Sequence, residues 1–218
     1  MNHPSSLRRG AAASLLVATA TAVAFLLAPS TRGTDQAGTV QAGTVQATCD
    51  GQVIEQPFMP WADPAGYVLV PNGAVEQGTG WKLKGGAARV AGNEVFQVHD
   101  DRDATSLTLP AGSSATTAPI CVGLEHPTLR LFARNRGSML STLLVEVLFK
   151  DADGHSRALQ IGAHLGSSSW QPTAPLAVVT NLFALLPGEH VEVAFRFTPM
   201  GAGDWSIDDV YVDPFRHG

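Results

Sequence analysis

The chain has 218 residues, is 44% hydrophobic and 15% charged, and carries a formal net charge of −5 with only three lysines. Phosphate contact demands clustered Lys and Arg, so nucleic acid is excluded as an expected partner, and an anionic membrane surface is disfavoured. The sequence contains no Gly-x-Ser-x-Gly elbow, His-Glu-x-x-His pair or phosphate-cradling glycine loop, and no enzymatic reaction is expected.

Residues 1–30 read as a signal peptide. Arg8 and Arg9 form a basic start, an uncharged apolar run extends over 11–28, and small residues at Ala28 and Ser30 offer a cleavage site. This predicts a secreted or cell-surface protein with no membrane contact beyond that segment. The run is also at the short limit of a spanning helix, which leaves open retention as an anchor. Cleavage removes two arginines and no acid, taking the net charge to −7. Residues 31–48 contain Gln36-Ala-Gly-Thr-Val40 and its copy Gln41-Ala-Gly-Thr-Val45. Such small, polar repeats cannot bury enough surface to offset their ordering entropy, so a flexible linker is expected.

Residues 49–218 amount to one domain. Its two cysteines, Cys49 and Cys121, are expected to form a disulfide in an exported protein, with two unpaired thiols as the alternative. The loop so closed is about seventy residues, for which chain entropy predicts roughly 4 kcal/mol.

The domain is punctuated by Gly, Pro, Asn and Asp, with β-branched and aromatic residues between. Strands are predicted over 66–70, 87–91, 94–98, 106–109, 128–134, 143–149, 190–197 and 205–213. Period-two alternation is clear at Leu129, Leu131 and Ala133, and at Val191, Val193, Phe195 and Phe197. Asp151-Ala-Asp-Gly154 reads as a hairpin turn, and residues 181–186 as a short helical turn ended by Pro187-Gly188. Many short strands with frequent turns predict an all-β antiparallel sandwich.

In the last strand, Trp205 and Ile207 share one parity while Val210 and Val212 share the other. Both pairs reach one core only if the register slips across Asp208 and Asp209, so a β-bulge is predicted there. Two carboxylates in an apolar run need a cation or hydrogen-bond donors, which leaves open a metal site and a turn or salt bridge.

Asn72-Gly-Ala-Val-Glu76 with Gly78 and Trp81, closed by Trp205-Ser-Ile-Asp-Asp-Val-Tyr-Val212, resembles the galactose-binding-like jelly roll, a group that includes many carbohydrate-binding modules. Val75 departs from the usual Phe. The resemblance implies a jelly-roll β-sandwich whose first and last strands lie together. It also implies a structural calcium held by Glu76 and by Asp208 or Asp209, and calcium suits such oxygen donors.

Glycan recognition needs aromatic faces and a few orienting polar groups. Trp81 and Trp205 sit inside the motifs and are expected in the core. Trp61 and Trp170 lie in Pro-flanked loops and are the ligand candidates, with Tyr67 and Arg130 or Arg134 as edge contacts. His99-Asp-Asp-Arg-Asp103 is the densest polar cluster, read as a solvated loop or a second cation site. The expected function is a non-catalytic module binding polysaccharide or cell-wall glycan. The alternative is a structural or protein-interaction sandwich of the cell surface, favoured if Trp61 and Trp170 are buried.

Overall fold

The computed structural model describes residues 51–123, 128–151, 153–178 and 191–213. The predicted signal peptide, the linker, Cys49 and the helical turn over 181–186 lie outside these residues.

The described chain is almost wholly β, arranged as two antiparallel sheets. The first sheet contains β1 (Val68–Leu69), β3 (Ala88–Ala91), β4 (Thr105–Leu109), β7 (Thr128–Asn135), β10 (Gln171–Pro172), β11 (Leu176–Ala177) and β13 (Trp205–Asp213). The second contains β2 (Lys82–Lys84), β5 (Ser114–Thr116), β6 (Ile120–Val122), β8 (Thr142–Lys150), β9 (Ser156–His164) and β12 (Val191–Met200). The chain crosses between sheets at most connections, as a jelly roll does, so the core is filled by strands distant in sequence.

Alternation decides which side chains meet. Leu129, Leu131 and Ala133 of β7, Leu107 and Leu109 of β4, and Trp205 and Ile207 of β13 face Leu143, Val145 and Val147 of β8 and Val193, Phe195 and Phe197 of β12. The hydrophobic term drives this burial, at about 25 cal/mol per Å² of apolar surface. Trp205 is fully buried, and its indole N–H donates to Ser141 Oγ at 2.9 Å, so its polar edge carries no desolvation debt.

As the resemblance implied, the first and last strands pair: Val68 opposes Val212 and Leu69 opposes Tyr211. The motif at 72–81 folds as a turn around Asn72, whose side-chain amide donates to the carbonyls of Gln77 and Thr79. Trp81 Nε1 closes it by donating to the Asn72 carbonyl at 2.8 Å. Asp151 caps the β8–β9 hairpin, accepting from the N–H of Asp153 and His155, which matches the predicted turn.

One expected strand is absent. Residues 94–98 form a loop, because the Glu94 carboxylate accepts from the N–H groups of Phe96 and Val98 and curls the backbone around itself, away from ladder pairing. Strand β9 was not predicted. It lies at the sheet edge, alternates weakly and buries none of its residues fully.

A second, smaller core covers the outer face of the first sheet. Phe58, Tyr67, Phe132, Trp170 and Tyr211 pack there, under the segment that precedes β1.

Candidate functional site

Two regions carry chemistry: the acidic bulge of β13 and the aromatic end of the outer core.

The bulge lies where predicted. Asp208 opposes Phe132 and Tyr211 opposes Arg130, so three steps on β13 match two on β7. Asp209 takes up the extra residue in the left-handed region, at φ 45°. The slip returns Val210 and Val212 to the main core and sends Tyr211 to the outer one. Both aspartates are fully buried. Asp208 accepts from the N–H of Glu94 at 3.1 Å and of Asp209 at 3.0 Å. Asp209 Oδ1 and Oδ2 are buried and accept no hydrogen bond of good geometry.

Burial, with the charge of Asp209 next, pushes the Asp208 carboxyl up to about 9. Burial, with the charge of Glu94 next, pushes Asp209 up to about 7. Glu94, buried beside them, is also raised by burial, although the N–H groups of Val98 and Phe96 pull the other way. Among the described residues, no lysine or arginine forms an ion pair with any of these three.

Glu76 is employed elsewhere. Its Oε1 accepts from the N–H groups of Ala104 and Thr105, both at 2.8 Å, and from the Thr105 hydroxyl at 2.9 Å. Arg89 donates to the carbonyls of Val75 and Glu76 at 2.7 and 2.8 Å and stands 3.8 Å from the Glu76 carboxylate. A guanidinium thus holds the oxygens that a hard cation would use. With Asp208 also engaged by two N–H groups, Glu76, Asp208 and Asp209 do not fit a calcium ion wanting six to eight oxygens. Of the three, Asp209 alone has both carboxylate oxygens buried without a hydrogen bond of good geometry.

At the aromatic end, Trp61 lies in a 3₁₀ turn, Met59–Trp61, stopped by Ala62 in the left-handed region. Its ring meets Phe132 at 5.3 Å and Phe96 at 4.8 Å, both edge to face. Trp61 is half-buried and lines two hollows. One, of about 550 Å³, is an apolar groove also walled by Gln56, Pro57, Pro60, Phe96 and Val98. The other, of about 460 Å³, brings the polar groups of Asp63, Tyr67, Thr128, Arg130 and Asp213 together with apolar lining from Trp61, Ala65 and Pro175.

In the second hollow, Arg130 ion-pairs with Asp63, donates from Nε to the Thr173 carbonyl at 2.9 Å, and lays its guanidinium 4.0 Å over the Phe58 ring. The Tyr67 hydroxyl donates to Asp63 at 2.7 Å. Burial works against the Asp63 charge, yet the Tyr67 hydroxyl, the Ala65 N–H and Arg130 hold its carboxyl below the ordinary value. Burial, then Asp63, raises Tyr67.

Of the three expected glycan contacts, Trp61 and Tyr67 are brought to one hollow, Tyr67 through its hydroxyl with its ring buried. Trp170 corrects the expectation of an exposed loop tryptophan. It is 3% exposed, packed in the outer core with the Arg134 guanidinium 4.7 Å over its ring. Its Pro-flanked loop forms β10 against β7, which turns the indole inward. Sequence reading did not single out Phe96, which is 41% exposed beside Trp61. Its place in an expected strand hid it.

No protein-family model and no curated protein matches the sequence. Among solved structures, the chain is similar to the CBM22-1 xylan-binding domain of Paenibacillus barcinonensis Xyn10C. The identity is 15% and the TM-score 0.44, over 64% of this chain and 90% of that one. The CBM22-1–GH10 modules of Clostridium thermocellum endo-1,4-β-D-xylanase 10B give 15% identity and a TM-score of 0.46. That match covers 64% of this chain and 26% of that chain. TmCBM61 in complex with β-1,4-galactotriose gives 18% and 0.34, over 66% of this chain and 96% of that one.

Proposed function

We propose that this chain is a secreted, non-catalytic glycan-binding module whose contact surface is built around Trp61. The observation that carries this is the position of one half-buried indole between an apolar groove and a second hollow that contains charged and hydroxyl groups. Pyranose rings have apolar faces and hydroxyl edges. A surface that serves them offers an aromatic wall with a few fixed polar groups alongside. Trp61 and Phe96 supply the wall; Asp63, Arg130 and the Tyr67 hydroxyl supply groups already held in place by their mutual bonds. Preorganisation of this kind lowers the ordering cost of binding.

The test is affinity gel electrophoresis of the purified domain against a panel of soluble xylans, galactans, mannans and glucans. At least one polysaccharide is expected to retard the protein, and Phe96→Ala to weaken the retardation. Free migration in every gel would overturn the reading.

A protein-interaction role is favoured by a different observation: Met139 and Leu140, at the β7–β8 turn, are 91% and 90% exposed. Met139→Ser with Leu140→Ser is expected to abolish any self-association seen in sedimentation velocity, while leaving glycan retardation unchanged.

A further inference from the structure

We propose that His99, Asp103 and Asp209 form a binding site for one divalent cation of borderline character, with zinc as the reference ion. The site is independent of the glycan-binding reading.

Three observations converge on it. One ligand atom from each of the three residues lies within 4.8 Å of the others, although Asp209 is 106 residues or more from its partners in sequence. Asp209 is fully buried and neither carboxylate oxygen accepts a hydrogen bond of good geometry, the His99 N–H being the backbone donor beside it, a costly arrangement unless a cation meets them. The bulge aims this side chain: the left-handed backbone at φ 45° separates Asp209 from the alternation of its strand.

The other two ligands come from the loop that replaces the expected strand. His99 Nδ1 and Asp103 Oδ2 face each other at 2.7 Å in a hydrogen bond, and an entering ion would replace the shared proton as the two atoms part to ligand spacing. The Asp103 side chain is 7% exposed and that of His99 is 31% exposed, so His99 is the side from which an ion arrives. Glu94 and Asp208, buried nearby and hydrogen-bonded to backbone N–H groups, are two further carboxyl groups with which no lysine or arginine among the described residues pairs.

The donor set decides the class of ion. One imidazole nitrogen and two carboxylates suit zinc and its first-row neighbours at four to five coordination, with water completing the shell. Calcium takes six to eight oxygens and gains little from imidazole. The exposed trio Asp151, Asp153 and His155 serves as an internal control, because Asp151 is engaged by backbone N–H groups and Arg157.

The experiment uses tag-free protein, stripped with chelator and titrated with zinc chloride alone by calorimetry, with calcium chloride in parallel. Cobalt substitution follows by visible absorption. One equivalent of zinc is expected to bind, at least tenfold tighter than calcium, with tetrahedral-type cobalt bands and a rise in melting temperature. His99→Gln, a partly exposed change that leaves the fold intact, should weaken zinc at least tenfold and remove the cobalt bands. His155→Gln should change neither. Calcium binding tighter than zinc, zinc binding unaltered in His99→Gln, or an absence of stoichiometric binding would each overturn the proposal.

Discussion

Gly73 shows why the Asn-Gly pair opens the motif at 72–81. A Cβ at this position would stand 2.7 Å from the Val210 carbonyl oxygen and 2.8 Å from a Leu69 methyl, where β13 passes the turn. Gly73→Ala is therefore expected to cost about 1–3 kcal/mol, by overpacking backbone that cannot yield, as read from urea denaturation. His164 gives a second residue-level prediction. Its Nε2 is buried without a partner, its ring lies 5.9 Å from Trp205, and burial lowers its pKa below 6.5. As pH falls the unfolded chain takes up this proton first. The stability contributed by neutral His164 is thus complete above 6.5 and is lost as pH falls through the lower folded value. Melting temperature should drop more steeply from pH 7 to pH 5 in the wild type than in His164→Gln; equal slopes would show that His164 has no part in it.

At the level of elements, the parity shift in β13 was readable because a strand has a period of exactly two, and Trp205 with Ile207 against Val210 with Val212 cannot share a face without an extra residue. The destination of the carboxylates was not readable. Whether Glu76 reaches Asp208 depends on how the 72–81 turn and the 94–103 loop sit on the sheet, and local sequence does not encode that arrangement. Glu94 looked like the start of a strand because Val95, Phe96 and Val98 follow it; its side chain instead captures two backbone N–H groups, and the strand is lost. The bulge yields a prediction of its own. Asp209→Asn keeps a residue that tolerates φ 45° and removes an unpaired buried charge. Metal-free Asp209→Asn is expected to be about 1–2 kcal/mol more stable than metal-free wild type at pH 8 in urea denaturation. A destabilised variant would mean that the carboxylate has a partner in solution.

Across the whole molecule, the β-sandwich was legible because alternation recurs in nearly every long strand, and its closing pair because the two motifs at 72–81 and 205–212 pack against one another. The short strands β2, β5, β10 and β11 were not legible: two or three residues carry no period. The domain's start is tied toward β6, since Gln52 Nε2 donates to the Cys121 carbonyl at 3.3 Å, three residues after Cys49. The disulfide expected between Cys49 and Cys121 has a chemical test. Reduction should lower stability by about 3–4 kcal/mol, and alkylation under denaturing, non-reducing conditions should add no mass. Two alkyl groups added without reductant would count against the bridge. The central claim is that Trp61 anchors a glycan. It is tested most directly by calorimetric titration of wild type and Trp61→Ala with the oligosaccharide of whichever polysaccharide retards the protein, with both proteins verified as folded at the assay temperature. The structure predicts at least tenfold weaker binding for Trp61→Ala, about 1.4 kcal/mol or more. Equal affinities in the two proteins would contradict it.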